Sequence, residues 1–330
     1  MNSQQARTKR ALITGIAGQD GSYLAEYLLS LGYEVWGIVR RNSVPEHQES
    51  RIDDISSKVT TLYGDLTDSS SLVRAINESR PDEVYNLAAQ SHVRISFDIP
   101  QFTAQVNAVG VMNLLEALRE TGSKARVYQA SSSEMFGTSV DGDGFQRETT
   151  AMTPVSPYGC SKLFAYSLMR NYRHSYGLHL TNGILFNHES PRRGSNFVTT
   201  KVVKTAAQIK LGLASELVLG NLDSQRDWGH SRDYVRAMHS MLNLDEPGDF
   251  VVATGKTTSV REMVSKVFSK LDLDPEKWVR QDERFMRPQE LPYLRGDASK
   301  AREFFGWEPS ESLDTMLDEM LDLWMKKLGE

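Results

Sequence analysis

Residues 10–24 read RALITGIAGQDGSYL. A short apolar run ending at Thr14 meets three glycines, Gly15, Gly18 and Gly21, and a helical pattern follows. Glycine permits a tight turn and lets a backbone come close to a pyrophosphate, and a helix start directly behind it offers free amides and a positive dipole end. This strand–turn–helix frame makes Gly15, Ile16, Gly18, Gln19, Asp20 and Gly21 candidates for dinucleotide binding. The glycines are spaced three and three, unlike the two and three of the standard fingerprint, and an ordinary glycine-rich turn is the plainer reading.

Outward from this turn, short apolar runs alternate with longer helical patterns. Strands are expected at 10–14, 34–39, 59–63, 83–87, 126–130 and 180–186, and helices at 22–31, 70–79, 103–121 and 158–176. The strand candidates are apolar on both faces, as in a parallel sheet covered by helices on each side. Gly32 and Gly122 stand where helix C-caps are expected. Such alternation predicts an α/β fold with a doubly wound parallel sheet over residues 1–187, the Rossmann-type cofactor domain. From 188 to 230 the chain is rich in arginine, glycine and polar residues. A helix at 199–211, a strand at 250–254 and helices at 259–271, 298–305 and 313–328 make residues 188–330 a smaller mixed α/β substrate lobe. Some of its segments are expected to return to the first domain.

Composition narrows the function. The chain has 330 residues and a formal charge of −5, without the basic stripe of a nucleic-acid binder. No apolar run reaches the roughly 18 residues of a membrane span, and the polar start MNSQQARTKR lacks a signal-peptide core. Cys160 is the only cysteine, so an intrachain disulfide is excluded, and a reducing cytoplasm fits. No partner nucleic acid, membrane or metal is expected.

The second strand ends in Arg40, Arg41, Asn42 and Ser43 where an NAD site usually carries an acidic residue. Arginine there suits a 2′-phosphate, which favours NADP; a solvated basic loop is the alternative. Asp65 and Leu66, and the run Leu87, Ala88, Ala89, Gln90 and Ser91, follow the third and fourth strands, on the ligand-binding side of such sheets. Asp65 would suit an adenine amino group.

Tyr158 and Lys162 lie four apart at the start of a helix, on one face. A nearby ammonium favours the phenolate, so the tyrosine pKa is expected to fall and Tyr158 to serve as acid and base. The fifth strand leads into Ser131, Ser132, Ser133 and Glu134. Serine suits a sugar hydroxyl, and the Glu134 carboxylate adds a base that simple ketone reduction does not need; helix or turn capping is the other reading. Cys160, two residues from each, is read as packing.

The glycine turn, Ser132, Tyr158 and Lys162 resemble the extended short-chain dehydrogenase/reductase superfamily. The segments GIAGQDGSYLAEYLL, NLAAQSHV, SSSEMFG, PYGCSK, NGILFNHESPRRG, RDWGHSRDYV and GDASKAREFFGWEP narrow the resemblance to its GDP-mannose 4,6-dehydratase family, over about residues 9–328. That resemblance implies a hydro-lyase with NADP as cofactor and GDP-mannose as substrate, on a route to GDP-fucose or another GDP-deoxysugar. Tyr158 would take the proton of the 4-hydroxyl as C4 is oxidised, Glu134 the C5 proton as water leaves C6, and the hydride would return to C6. It implies catalytic roles for Ser132, Glu134, Tyr158 and Lys162. Cofactor contacts would come from Arg40, Asn42, Ser43, Asp65, Leu66, Leu87 to Ser91, Phe102, Lys162, His188 and Arg193. Substrate contacts would come from Ser132, Glu134, Tyr158, Asn187, Lys201, Arg226 and Arg287, and the cations here and at Arg192 suit a diphosphate. A homo-oligomer, dimer or tetramer, is implied as well. The chain departs from the family pattern at Ser132, where threonine is frequent, at Phe102 for tyrosine, at Thr200 for arginine, and over 43–58.

Two rivals use the same residues differently. A nucleotide-sugar reductase or epimerase needs Tyr158 and Lys162 without Glu134. A non-catalytic NADP-binding module would be expected to lose Tyr158 or Lys162, and both are present.

Overall fold

The computed structural model describes residues 7–40, 51–286 and 288–329. Strand β1 (Arg10–Thr14) turns into α1 (Gln19–Ser30), and β2 (Glu34–Val39) follows. Beyond it lie β3 (Val59–Tyr63), α2 (Ser69–Ser79) and β4 (Glu83–Asn86). Two short helices, α3 (Val93–Asp98) and α4 (Pro100–Ala104), pass through a π-helical turn at Gln105–Val109 into α5 (Gly110–Glu120). Then come β5 (Arg126–Ser132), α6 (Pro157–Tyr176), β6 (Leu180–Leu185) and β7 (Asn187–Glu189). The second half holds α7 (Val198–Lys210), β8 (Leu217–Leu219), β9 (Gln225–His230), α8 (Ser231–Leu242), β10 (Asp249–Val252) and β11 (Thr257–Ser259). It closes with α9 (Val260–Ser269), α10 (Pro275–Trp278), β12 (Val279–Gln281), α11 (Ser299–Phe305) and α12 (Leu313–Gly329).

Seven strands form one parallel sheet in the order β10-β6-β5-β4-β1-β2-β3. The order reverses between β1 and β4, and ligands of such sheets bind in the crevice at that point. On one face Leu24, Ala25 and Leu28 of α1 join Tyr234, Met238 and Met241 of α8 and Ala301 of α11 in a single core. On the other, Leu72 and Ile76 of α2, Leu114 and Leu115 of α5, and Ala165 and Met169 of α6 make a second. Helix α8 was not expected from the sequence, yet it is half of the packing against α1. Strand β10, from the later half of the chain, pairs with β6 and forms the sheet edge.

A separate core of α7, α9, α12 and β8 supports the smaller lobe. Apart from the six-residue β9 its strands are short: β11, β9 and β7 form one sheet, and β12 pairs with β8 in another. Strand β7 follows β6 after a single residue, Phe186, so the small lobe grows directly from the carboxyl end of the main sheet. None of the described helices is long and apolar enough to cross a membrane.

Candidate active site

The glycine turn is as tight as its sequence implies. Gly15 has φ +71°, and a Cβ there would stand 3.0 Å from the backbone of Ala88. At Gly21 a Cβ would fall 2.3 Å from the carbonyl of Gly15, so α1 can start beneath the turn only with glycine. Thr14 locks the turn to β4: its hydroxyl donates to Asn86 Oδ1 at 2.6 Å and accepts from the amides of Leu87 and Ala88 at 3.2 and 3.1 Å. Thr14 was not singled out from the sequence, although a hydroxyl ending the first strand was there to see.

These elements wall a cavity of about 650 Å³. Gly15, Gly18, Gln19, Asp20, Gly21, Arg40, Asp65, Leu66, Leu87, Ala88, Ala89, Ser91 and Arg193 line it, together with Arg51, Asp53, Ser56 and Tyr63. A second cavity of about 760 Å³ continues from it, and the two share Asp20, Leu87, Ala89, Ser91 and Arg193. The second contains Ser132, Glu134, Tyr158, Lys162, Asn187, His188 and Lys201. Some expected contacts fall elsewhere. Ile16 is fully buried, its side chain where a Cβ on Gly37 would be, and Phe102 is an exposed residue of α4. Gln90 and Arg226 line neither cavity; Arg226 is buried in β9 and donates to the Gln225 carbonyl at 2.9 Å. Arg41, Asn42, Ser43 and Arg287 lie outside the described residues.

Catalytic candidates converge from three elements. Ser132 ends β5, and its hydroxyl accepts from the Glu134 amide at 3.2 Å, holding the turn that turns Glu134 into the cavity. Ser156 caps α6 by accepting from the Gly159 amide at 3.0 Å, with Pro157 at the first helical position. Helix α6 thus starts where Tyr158 and Lys162 reach the same space. Lys162 Nζ donates to the Ala130 carbonyl at 2.8 Å and stands 5.8 Å from the centre of the Tyr158 ring. The expected fall in the tyrosine pKa is not what this geometry gives. Burial pushes Tyr158 up to about 12, the Ser132 hydrogen bond and Arg193 pulling down and the Glu134 carboxylate pushing up. Burial also brings Lys162 down to about 8, against the pull of Asp20. Desolvation outweighs neighbouring charge for groups this enclosed.

The NHESPRR segment is built into the cofactor turn. His188 donates from its ring nitrogens, Nε2 to Asp20 Oδ2 at 2.8 Å and Nδ1 to the Phe186 carbonyl at 2.8 Å, and its ring stacks on Tyr234. Burial lowers the His188 pKa, but Asp20 more than reverses this, and His188 in turn holds the Asp20 carboxyl below its ordinary value; the pair is partly buried where Asp20 joins the two cavities. Ser190 Oγ donates to Gln19 Oε1 at 2.8 Å. Arg193 pairs with Glu189 at 2.9 Å and lies 3.5 Å over the Phe197 ring. Arg192, expected among the anion contacts, turns instead to α1, where it meets Ser22 and Glu26 and covers Tyr23.

A doubly wound sheet, a glycine turn at its switch point and a Ser–Tyr–Lys set at the ends of β5 and α6 define an extended short-chain dehydrogenase/reductase. The UDP-glucose 4-epimerase of Thermotoga maritima shares the fold with TM-score 0.85 at 25% identity, over 97% of this chain and 99% of that one. The protein RMD of Pseudomonas aeruginosa, solved with NADPH, does so with TM-score 0.80 at 26%, over 97% and 98%. The family model described as GDP-mannose 4,6 dehydratase matches residues 12–320. GDP-mannose 4,6-dehydratase of Yersinia enterocolitica is 47% identical, over 95% of this chain and 93% of its own length, and that of Homo sapiens 47% over 94% and 90%. The chain belongs to the GDP-mannose 4,6-dehydratase family.

Proposed function

We propose that the chain removes water from GDP-mannose to give GDP-4-keto-6-deoxymannose, with NADP as the resident cofactor. The observation that carries this reading is the Glu134 carboxylate held beside Ser132 and Tyr158 in one cavity, because oxidation at C4 alone requires no second base. The glycine cradle at Gly15 and Gly21 fits a pyrophosphate, and Arg40 at the cavity wall fits a 2′-phosphate. RMD was solved with NADPH and the UDP-glucose 4-epimerase of Thermus thermophilus with NAD, so the neighbours support a nicotinamide cofactor and Arg40 carries the choice of NADP.

Bound NADP supplies the hydride acceptor for C4 and the hydride donor for C6, so the reaction has no net redox change. The chain's own groups move the protons. Tyr158 takes the proton of the sugar 4-hydroxyl as its phenolate, a form that burial disfavours and that the Lys162 ammonium, 5.8 Å from the ring centre, would have to favour, with Ser132 holding that oxygen. Lys162, anchored on the Ala130 carbonyl, positions the cofactor ribose and supplies positive charge. Once C4 is a ketone the C5 proton is acidic; Glu134 removes it and hands a proton to the C6 hydroxyl, which leaves as water, and C5 regains a proton, equal in count to the one Tyr158 took from the 4-hydroxyl, as hydride returns to C6. Arg193 and Lys201 line the same cavity and would meet the diphosphate. A homo-oligomer is part of this reading, as the family resemblance implies, and a cytoplasmic location fits the single cysteine, Cys160.

Purified protein incubated with GDP-mannose and no added NADPH is expected to yield a product lighter by one water, with a C4 ketone and a C6 methyl group by NMR. A product formed only with stoichiometric NADPH, or an epimer of unchanged mass, would overturn the proposal in favour of a reductase or an epimerase.

A further inference from the structure

The second cavity contains an aromatic ring that the chemistry of dehydration does not use. Phe285 lines it and is 49% exposed. The fold fixes it there by three separate devices. Strands β8 and β12 pair in parallel, and the Asp282 amide donates to the Leu219 carbonyl at 2.9 Å directly after β12. The Asp282 carboxylate accepts from the Arg284 amide at 2.9 Å and caps the short turn Glu283–Phe285. Gly220, at the end of β8, is the third device. A Cβ there would stand 2.6 Å from the Phe285 carbonyl oxygen, so the turn can rest on β8 only across a glycine.

What faces the ring is a cation. Lys201 Nζ, on α7, lies 3.8 Å from the Phe285 ring centre in the same cavity. Lys201 is partly buried, and burial lowers its pKa, so its charge is poorly solvated where it stands. A flat base next to a diphosphate complements this pair. The phosphate oxygens offer the ammonium a charge-assisted partner stronger than an aromatic face, and the base offers the ring a stacking surface.

We propose that Phe285 is the platform on which the nucleobase stacks, and that Lys201 passes from its ring to the diphosphate when the nucleotide binds. The assignment rests on the nucleotide-sugar reading above and names how its base end is held. GDP is the probe, titrated calorimetrically into the unmodified protein and into Phe285→Tyr, Phe285→Leu and Phe285→Ala, with NADP titrated in parallel. Base stacking is worth roughly 5- to 150-fold in affinity. The expected order is Tyr close to wild type, then Leu, then Ala weaker by that factor, with NADP affinity constant and the kinetic loss falling on KM for GDP-mannose. Phe285→Ala binding GDP as tightly as the unmodified protein overturns the inference and leaves the proposed function standing. Unmodified protein that binds no GDP removes both.

Discussion

In the proposed mechanism Glu134 is the residue that separates dehydration from simple oxidation. Its turn is held by Ser132, and the carboxylate shares a cavity with Tyr158 and Lys162. Glu134→Gln keeps shape and hydrogen bonding but cannot accept the C5 proton. Turnover is expected to fall at least about 100-fold, the usual contribution of a positioned base, while the protein still binds NADP and GDP-mannose. That variant should accumulate NADPH and a 4-keto sugar, visible as absorbance without water loss; Tyr158→Phe should form neither. Wild-type dehydration by Glu134→Gln would reduce the carboxylate to a turn cap. Arg40→Asp should weaken NADP far more than NAD, measured as the ratio of the two dissociation constants, because charge-assisted bonds to the 2′-phosphate are lost and a repulsion gained. The pH dependence follows from Lys162. Its ammonium is present below about pH 8 and lost above it. NADP binding is therefore expected to weaken as pH rises through 8, and to be weak and flat over that range in Lys162→Met.

Elements differ in how far the sequence foretold them. The strands that build the main sheet and the helices α1, α2, α6, α7, α9, α11 and α12 were legible to within a few residues, because each buries a periodic apolar face, whereas the single helix expected over 103–121 is divided into the end of α4, a π-helical turn and α5. Helix α8 was not read, although Tyr234, Val235, Met238, Met241 and Leu242 mark its buried face; the polar segment GHSRD hides its start, where the His230 ring accepts from the Arg232 amide. Strands β7, β8, β11 and β12 span three residues each, too few for any alternation to register. The same limit applies to the site. Glycines, Tyr158, Lys162 and Glu134 stand in local motifs, whereas the turning of Arg192 onto α1 and the placing of Phe285 depend on distant chain segments. Strand β9 shows what such long-range ties are worth. Asp227 is fully buried there and accepts from the Thr254 amide and hydroxyl, the Gly255 amide and, more weakly, the Gly296 amide, joining β9 to the turn before β11. Asp227→Asn would point an amide N–H at donors, costing about 1–3 kcal/mol in denaturant unfolding. Burial holds the Asp227 carboxyl up at about 6, above its ordinary 3.8. The raised value means that its protonated form contributes stability in full below about pH 3.8, lost as pH rises through 6. The stability gap between wild type and Asp227→Asn should therefore narrow between pH 4 and 7.

For the molecule as a whole, charge and chain order both matter. A protein of net charge −5 lines one cavity with Arg94, Lys162, Arg193, Lys201 and Arg284 against Asp20, Asp98, Glu134 and Glu189; Arg94, Arg193 and Arg284 are ion-paired, which leaves Lys162 and Lys201 as the cations best placed for a dianionic ligand. Mannose and mannose 6-phosphate, lacking the nucleoside diphosphate, should not turn over, and KM for GDP-mannose should rise with ionic strength; dehydration of either small sugar at a comparable rate would contradict this. The parallel sheet has a different consequence, in time. A ribosome delivers β6 well before β10, the strand that covers its edge, with residues 186–248 made in between. At common synthesis rates of about 5–20 residues per second, the nascent chain carries an open row of peptide groups on β6 for roughly 3–12 s. During that interval the half-made protein is a template for strangers. Messages that stall ribosomes after β6 but before β10 has left the exit tunnel should yield aggregated fragments, whereas stalling after enough further residues to free β10 should not.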